Sequence, residues 1–93
     1  MNAAEALRTV RLLAADGENV DFSEHAANDS ILDDGLFKGD VVHVLASAVE
    51  AVPEDAVGLK FKIYGPLPLG EDYAVIVNVH ADYLFVITCH FPP

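Results

Sequence analysis

Cysteine, basic side chains and long apolar runs are all scarce in this sequence, and each scarcity closes a class of explanation. One cysteine, Cys89, in 93 residues cannot form an internal disulfide or a multi-cysteine zinc site. A domain of this size in an oxidising compartment often carries paired cysteines, so a reducing cytoplasm is the expected setting. The bases number five, Arg8, Arg11, Lys38, Lys60 and Lys62, against 15 acids, for a formal net charge of −10. Binding to phosphate backbones is driven by cationic side chains that release counterions, so nucleic acid is disfavoured as a default partner. The charge serves solubility, as in a salty cytoplasm, or steers in a basic protein partner. Met1 to Val20 lacks the continuous apolar centre of a signal peptide. Tyr73 to Phe91, the stretch nearest to a membrane span, is interrupted by Asn78, His80, Asp82 and His90 at strand-like spacing. Neither export nor membrane insertion is expected.

Motifs that carry chemistry by themselves are missing too. There is no glycine-rich phosphate loop, no paired-histidine helix, no cysteine pair and no serine elbow. The four histidines, His25, His43, His80 and His90, are too scattered to make a metal site by spacing, and no cofactor is expected. Asp33, Asp34 and Asp40 flank a glycine without the spacing of a calcium loop and read as helix caps.

What is present is a folding domain. Hydrophobic residues make up 53% of the chain, enough for one core and no second domain. Ala3, Ala6, Leu7, Val10, Leu13 and Ala14 fall at helical spacing between an Asn2 cap and a Gly17 stop, which predicts an amphipathic helix. Val20 to Phe22 allows a short extended piece. Ser23 then caps a second helix that ends near Asp33 at Gly35, and Val41, Val42, Val44, Leu45 and Ala48 form the apolar side of a third, starting near Gly39 or Asp40.

The second half reads as strands. Leu59 to Tyr64 alternates, with Leu59, Phe61 and Ile63 on one face and Lys60, Lys62 and Tyr64 on the other. Gly65, Pro66, Pro68 and Gly70 break it. Tyr73 to Val79 and Tyr83 to Phe91 follow, joined by a turn at His80, Ala81 and Asp82. Val49 to Val52 is a candidate fourth strand. The expected architecture is therefore α+β, with N-terminal helices packed on a three- to four-stranded antiparallel sheet. A three-residue turn would pair Val79 with Tyr83. It would gather Tyr73, Val75, Val77, Val79, Tyr83, Phe85, Ile87 and Cys89 on one face, and Asn78, His80, Leu84, Thr88 and His90 on the other.

That register nominates a polar patch in which Lys60, Lys62, Tyr64, Asn78 and Thr88 join His90. Lysine, tyrosine and histidine can hold anions or move protons, so the patch is a candidate catalytic site; a solvated sheet face is the alternative. His25, beside Ser23, is either a general acid or base or a residue that orients the helix entry. His43 and His80 read as surface residues, and Cys89 as a small buried hydrophobe.

Taken together, Val20-Asp21-Phe22-Ser23-Glu24-His25-Ala26, Gly35-Leu36, Asp40-Val41 with Leu45, Tyr64-Gly65, and Val86-Ile87-Thr88 with Phe91-Pro92 resemble the domain of unknown function 4258 family. That family opens on a His-Ala pair and closes on a strand reading roughly Val-Ile-Thr-x-Tyr-x-Pro. The resemblance implies a fold like that of RelE and ParE toxins, many of which are ribonucleases or gyrase poisons held by an antitoxin. It carries His25 onto the family's histidine, and leaves Lys60, Lys62, Tyr64 and His90 as the residues able to serve a ribonuclease. Asn28, Asp29, Asp33 and Asp34 stand where arginines are usual, and Phe91 stands where tyrosine is usual. A fold of this kind does not by itself imply toxin activity. The reading that follows is a protein acting through protein contacts, with an antitoxin-like or basic partner or a second copy paired at Val49 to Val52. The alternative is a ribonuclease toxin of a toxin-antitoxin pair.

Overall fold

A computed structural model describes residues 1–93 as an α+β fold with three helices and a five-stranded mixed sheet. The elements run α1 (Ala3–Ala14), β1 (Val20–Phe22), a π-helical turn (Ala26–Ser30) leading into α2 (Ile31–Asp33), α3 (Lys38–Ala46), β2 (Glu50–Pro53), β3 (Lys60–Pro66), β4 (Asp72–Val79) and β5 (Leu84–His90). No helix is long and apolar enough to cross a membrane.

α1 starts as its sequence dictates: Asn2 Oδ1 accepts the Glu5 N–H at 2.9 Å, and the Glu5 carboxylate accepts the Asn2 N–H at 3.1 Å. The two bonds satisfy donors that the first turn otherwise leaves unpaired. Ala6, Val10 and Ala14 are buried on its inner side. Ser23 Oγ accepts the Ala26 N–H at 3.0 Å, and Asp40 accepts the Phe37 N–H at 2.9 Å, so both helix entries carry the expected caps. Asp34, which reads as a cap, instead accepts the buried Tyr73 hydroxyl at 2.7 Å.

The strand order is β1-β5-β4-β3-β2. β2 through β5 are antiparallel neighbours, whereas β1 lies parallel to β5 with Val20 opposite Leu84. The expected three- to four-stranded antiparallel sheet is thus corrected to five strands of mixed direction. The short extended piece at Val20 to Phe22 is a real edge strand, held by Leu84 N–H to Asn19 O (2.8 Å) and Ser23 N–H to Val86 O (2.9 Å). β3 also runs on through Gly65 and Pro66, which the sequence suggested as breakers. Gly65 pairs with Tyr73 and Pro66 with Asp72, and the chain turns only at Leu67 to Glu71.

The β4–β5 connection needs a second correction. His80 N–H bonds to Tyr83 O, and Val79 pairs with Leu84 rather than Tyr83. Leu84 and Val86 therefore face the core, fully buried, while Phe85 and Ile87 lie on the other face and Tyr83 is exposed. An extra residue at Ile87 bulges β5 and shifts the register between Ile76 and Val77, which returns Cys89 to the inner face opposite Val75.

The core lies between the sheet's inner face and the pair α1 and α3. Phe61, Ile63, Tyr73, Val75, Val77, Leu84 and Val86 meet Ala6, Val10, Val41, Val44 and Leu45 there, all fully buried. α3 comes close because β3 has a glycine beneath it: a Cβ on Gly65 would sit 2.5 Å from Val44 O. Beyond the end of β1, the π-helical turn takes over the flank of β5, fixed by Ser23 Oγ to Ile87 O (2.8 Å) and Ser30 Oγ to Thr88 Oγ1 (2.9 Å).

Candidate functional site

The sheet's second face carries no helix, and the candidate patch lies on it. On β3 the alternation sends Lys60, Lys62 and Tyr64 outward while Phe61 and Ile63 are fully buried. Reading across the sheet gives three rows. The first is Asp21, Phe85, Asn78, Lys60; the second Thr88, Ile76, Lys62, Val52; the third His90, Ala74, Tyr64, Glu50. Four nominated residues, Lys60, Lys62, Tyr64 and His90, therefore share one face, with Asn78 and Thr88 among them.

They do not form one tight constellation. His90 is on β5 and Tyr64 on β3, with β4 between them, so their backbones are about 10 Å apart at ordinary strand spacing. Ala74, between the two, is fully buried. Lys62 Nζ lies 5.4 Å from the centre of the Tyr64 ring, within cation–π range, and His90 Nδ1 lies 3.0 Å from Phe91 O. Thr88 is engaged with Ser30. His25 falls outside the patch altogether: it sits beyond the β1 edge, exposed, with its Nδ1 3.3 Å from Asp29 Oδ2. The structure joins four of the five nominated residues to one surface and separates His25 from it.

Charge on this face is unusual for the chain. That His25–Asp29 contact is the one acid–base pair within 4.0 Å, so neither Lys60 nor Lys62 has a carboxylate partner despite 15 acids in the sequence. Asp55 is near Lys60 but is spent on the loop. Its oxygens accept the N–H groups of Gly58, Leu59 and Lys60 at 3.0, 3.1 and 3.0 Å. Desolvation acts to raise its carboxyl, but those backbone bonds and the Lys60 charge outweigh it and hold the carboxyl below its ordinary value.

Apolar residues that sequence reasoning missed complete the surface. Ile76, Phe85 and Ile87 are partly exposed and Val52 is exposed. A three-residue turn places two of these, Phe85 and Ile87, on the face of Val75 and Val77, and the observed pairing of Val79 with Leu84 puts them on the opposite one. The missing glycine in His80 to Tyr83 was the available signal, because a three-residue hairpin turn favours glycine and a longer one tolerates its absence.

A second cluster lies at the inner end of the sheet. The Tyr73 hydroxyl, on a fully buried ring, donates to Asp34 Oδ2 at 2.7 Å, and Phe91 packs edge-on against that ring at 5.0 Å. Burial, then the Asp34 bond, pushes the Tyr73 phenol well above its ordinary range, and burial likewise pushes up the Cys89 thiol. Both groups are thereby kept neutral, which suits packing and leaves Cys89 a poor nucleophile. No group of three or more histidine, cysteine or acidic side chains is arranged to hold a metal ion. Comparison with protein-family models, curated proteins and solved structures finds no match.

Proposed function

We propose that this chain is a cytoplasmic binding protein of the toxin-like kind that the domain of unknown function 4258 resemblance implies, acting through protein contacts with little or no catalysis. The observation that carries the reading is the uncovered sheet face. Val52, Tyr64, Ile76, Phe85 and Ile87 leave apolar surface in water on adjoining strands, beside two lysines with no acidic partner. Covering such a strip releases ordered water and gives unpaired ammonium groups carboxylates to meet.

A ribonuclease toxin is the second reading, favoured by the placement of Lys60, Lys62, Tyr64 and His90 on one face. In that case the lysines hold phosphate while His90 moves protons. The separation of His90 from β3 by a whole strand weighs against it.

One experiment separates them. The native chain, Lys62→Ala, His90→Ala and Ile76→Glu are induced in bacteria at equal expression, and the purified proteins are incubated with RNA. The binding reading expects no RNA cleavage that depends on Lys62 or His90, and a stoichiometric partner captured by the native chain and lost with Ile76→Glu. Growth arrest and RNA cleavage, both relieved by Lys62→Ala or His90→Ala, would replace it with the ribonuclease.

A further inference from the structure

The two edges of the sheet are not alike. In β2 the register turns the N–H groups of Glu50, Val52 and Glu54 toward β3, the last donating to Lys60 O at 2.9 Å. On the open side of β2 only Ala51 can donate, because Pro53 has no N–H. In β1 the parallel ladder engages alternate residues. Asn19 O and Ser23 N–H bond to β5, with Asp21 between them in the same phase. Val20 and Phe22 therefore turn N–H and C=O away from β5, and none of these four groups has a partner. An unpaired edge of this kind is a template for one more strand.

Charge selects the strand. Between Arg11 and Lys38 the sequence has seven acids and no lysine or arginine. Asp16, Glu18, Asp21 and Glu24 lie on or beside β1, and all four are exposed. Asp21 belongs to the outer face, whereas Val20 and Phe22 belong to the inner one. Phe22 is partly exposed at its margin, with Lys38 Nζ 5.4 Å from its ring, and Phe37 beside Lys38 is 77% exposed.

From this edge we propose that β1 receives, by strand addition, an extended segment of a partner protein in which Lys or Arg alternates with aliphatic residues. The proposal deepens the binding-protein reading and rests on it for the existence of a partner. Main-chain groups of the segment pair with Val20 and Phe22. Because side chains alternate, its bases fall on the outer face beside Asp21, near Glu18 and Glu24, and its aliphatic residues continue the apolar row of Val20 and Phe22. A second copy of this chain is the wrong occupant, since it would bring another net charge of −10 to an acidic edge.

The test titrates the synthetic peptide acetyl-Lys-Val-Lys-Val-Lys-amide, or its Glu counterpart, into the isotope-labelled full chain and follows amide exchange by NMR. The lysine peptide is expected to slow exchange at Val20 and Phe22 about fivefold at saturation, as one added hydrogen bond does, with Ala51 unchanged. The Glu peptide should leave both amides alone, and Asp21→Lys, at an exposed site, should reverse the preference. Absence of protection, equal protection by both peptides, or protection at Ala51 instead would overturn the proposal. Failure of the binding-protein reading shows separately, as RNA cleavage sensitive to Lys62→Ala, whatever the peptides do.

Discussion

Replacing Gly65 with alanine tests the way α3 is seated on the sheet. The added Cβ would stand 2.5 Å from Val44 O, 3.2 Å from the Ala48 Cα and 3.2 Å from Val44 Cγ1. Two of those three atoms are backbone, so relief requires α3 and its C-terminal turn to move away from β3 rather than a side chain to swing aside. Overpacking a core usually costs about 1–3 kcal/mol, and a rigid obstacle puts this site toward the upper end. For a domain of this size, a loss of about 2–3 kcal/mol lowers the melting temperature by roughly 10–20 °C. Urea unfolding followed by far-ultraviolet circular dichroism, with calorimetry alongside, measures it. Gly39→Ala serves as the control, since a Cβ there meets nothing within 4 Å and the backbone is ordinary α3 helix. That change should stabilise by about 0.5 kcal/mol. If Gly65→Ala unfolds within about 0.5 kcal/mol of the native chain, α3 does not rest on Gly65 and the packing argument fails.

Leu84→Ala should cost about 3 kcal/mol as a cavity in the core, whereas Tyr83→Ala should cost less than about 1 kcal/mol; equal losses in urea would restore the three-residue turn. Tyr73→Phe removes the bond to Asp34 and should cost about 1–2 kcal/mol by the same assay, with native chemical shifts retained elsewhere. For pH, the sign follows from two acids held neutral in the fold. Stability is full below the ionisation of the unfolded chain and falls as pH rises past about 9 for Cys89 and 10 for Tyr73; Tyr73→Phe should flatten the fall above 10. Asn2→Ala removes the Oδ1 acceptor of the Glu5 N–H from the α1 cap and should cost about 1 kcal/mol, seen first as faster amide exchange in the opening turn of α1.

Much of the candidate surface was legible because strand alternation is a local rule. Lys60, Lys62 and Tyr64 share a face whatever pairs with β3, and the burial of Phe61 and Ile63 is the other half of the same pattern. α1 was equally readable, since its cap and apolar spacing lie within one short stretch of chain. His90 reached its expected face for a reason the sequence did not display. The turn is one residue longer than assumed, which reverses the face of every residue after it, and the bulge at Ile87 reverses it again. Two slips of one residue restore parity, so Cys89 and His90 end where expected while Leu84, Phe85 and Ile87 do not.

The sequence by itself determined the order of helices and strands, the helix caps, the outward row of β3 and the excess of acid, because each depends on neighbours a few residues apart. Tertiary structure alone decided the fifth strand, since the pairing of β1 with β5 joins segments as far apart as Ser23 and Ile87, 64 residues along the chain. It also decided the bulge and the separation of His25 from the lysines. Those outcomes turn on which distant apolar surfaces bury each other best, and that competition is settled between whole elements rather than within any one of them.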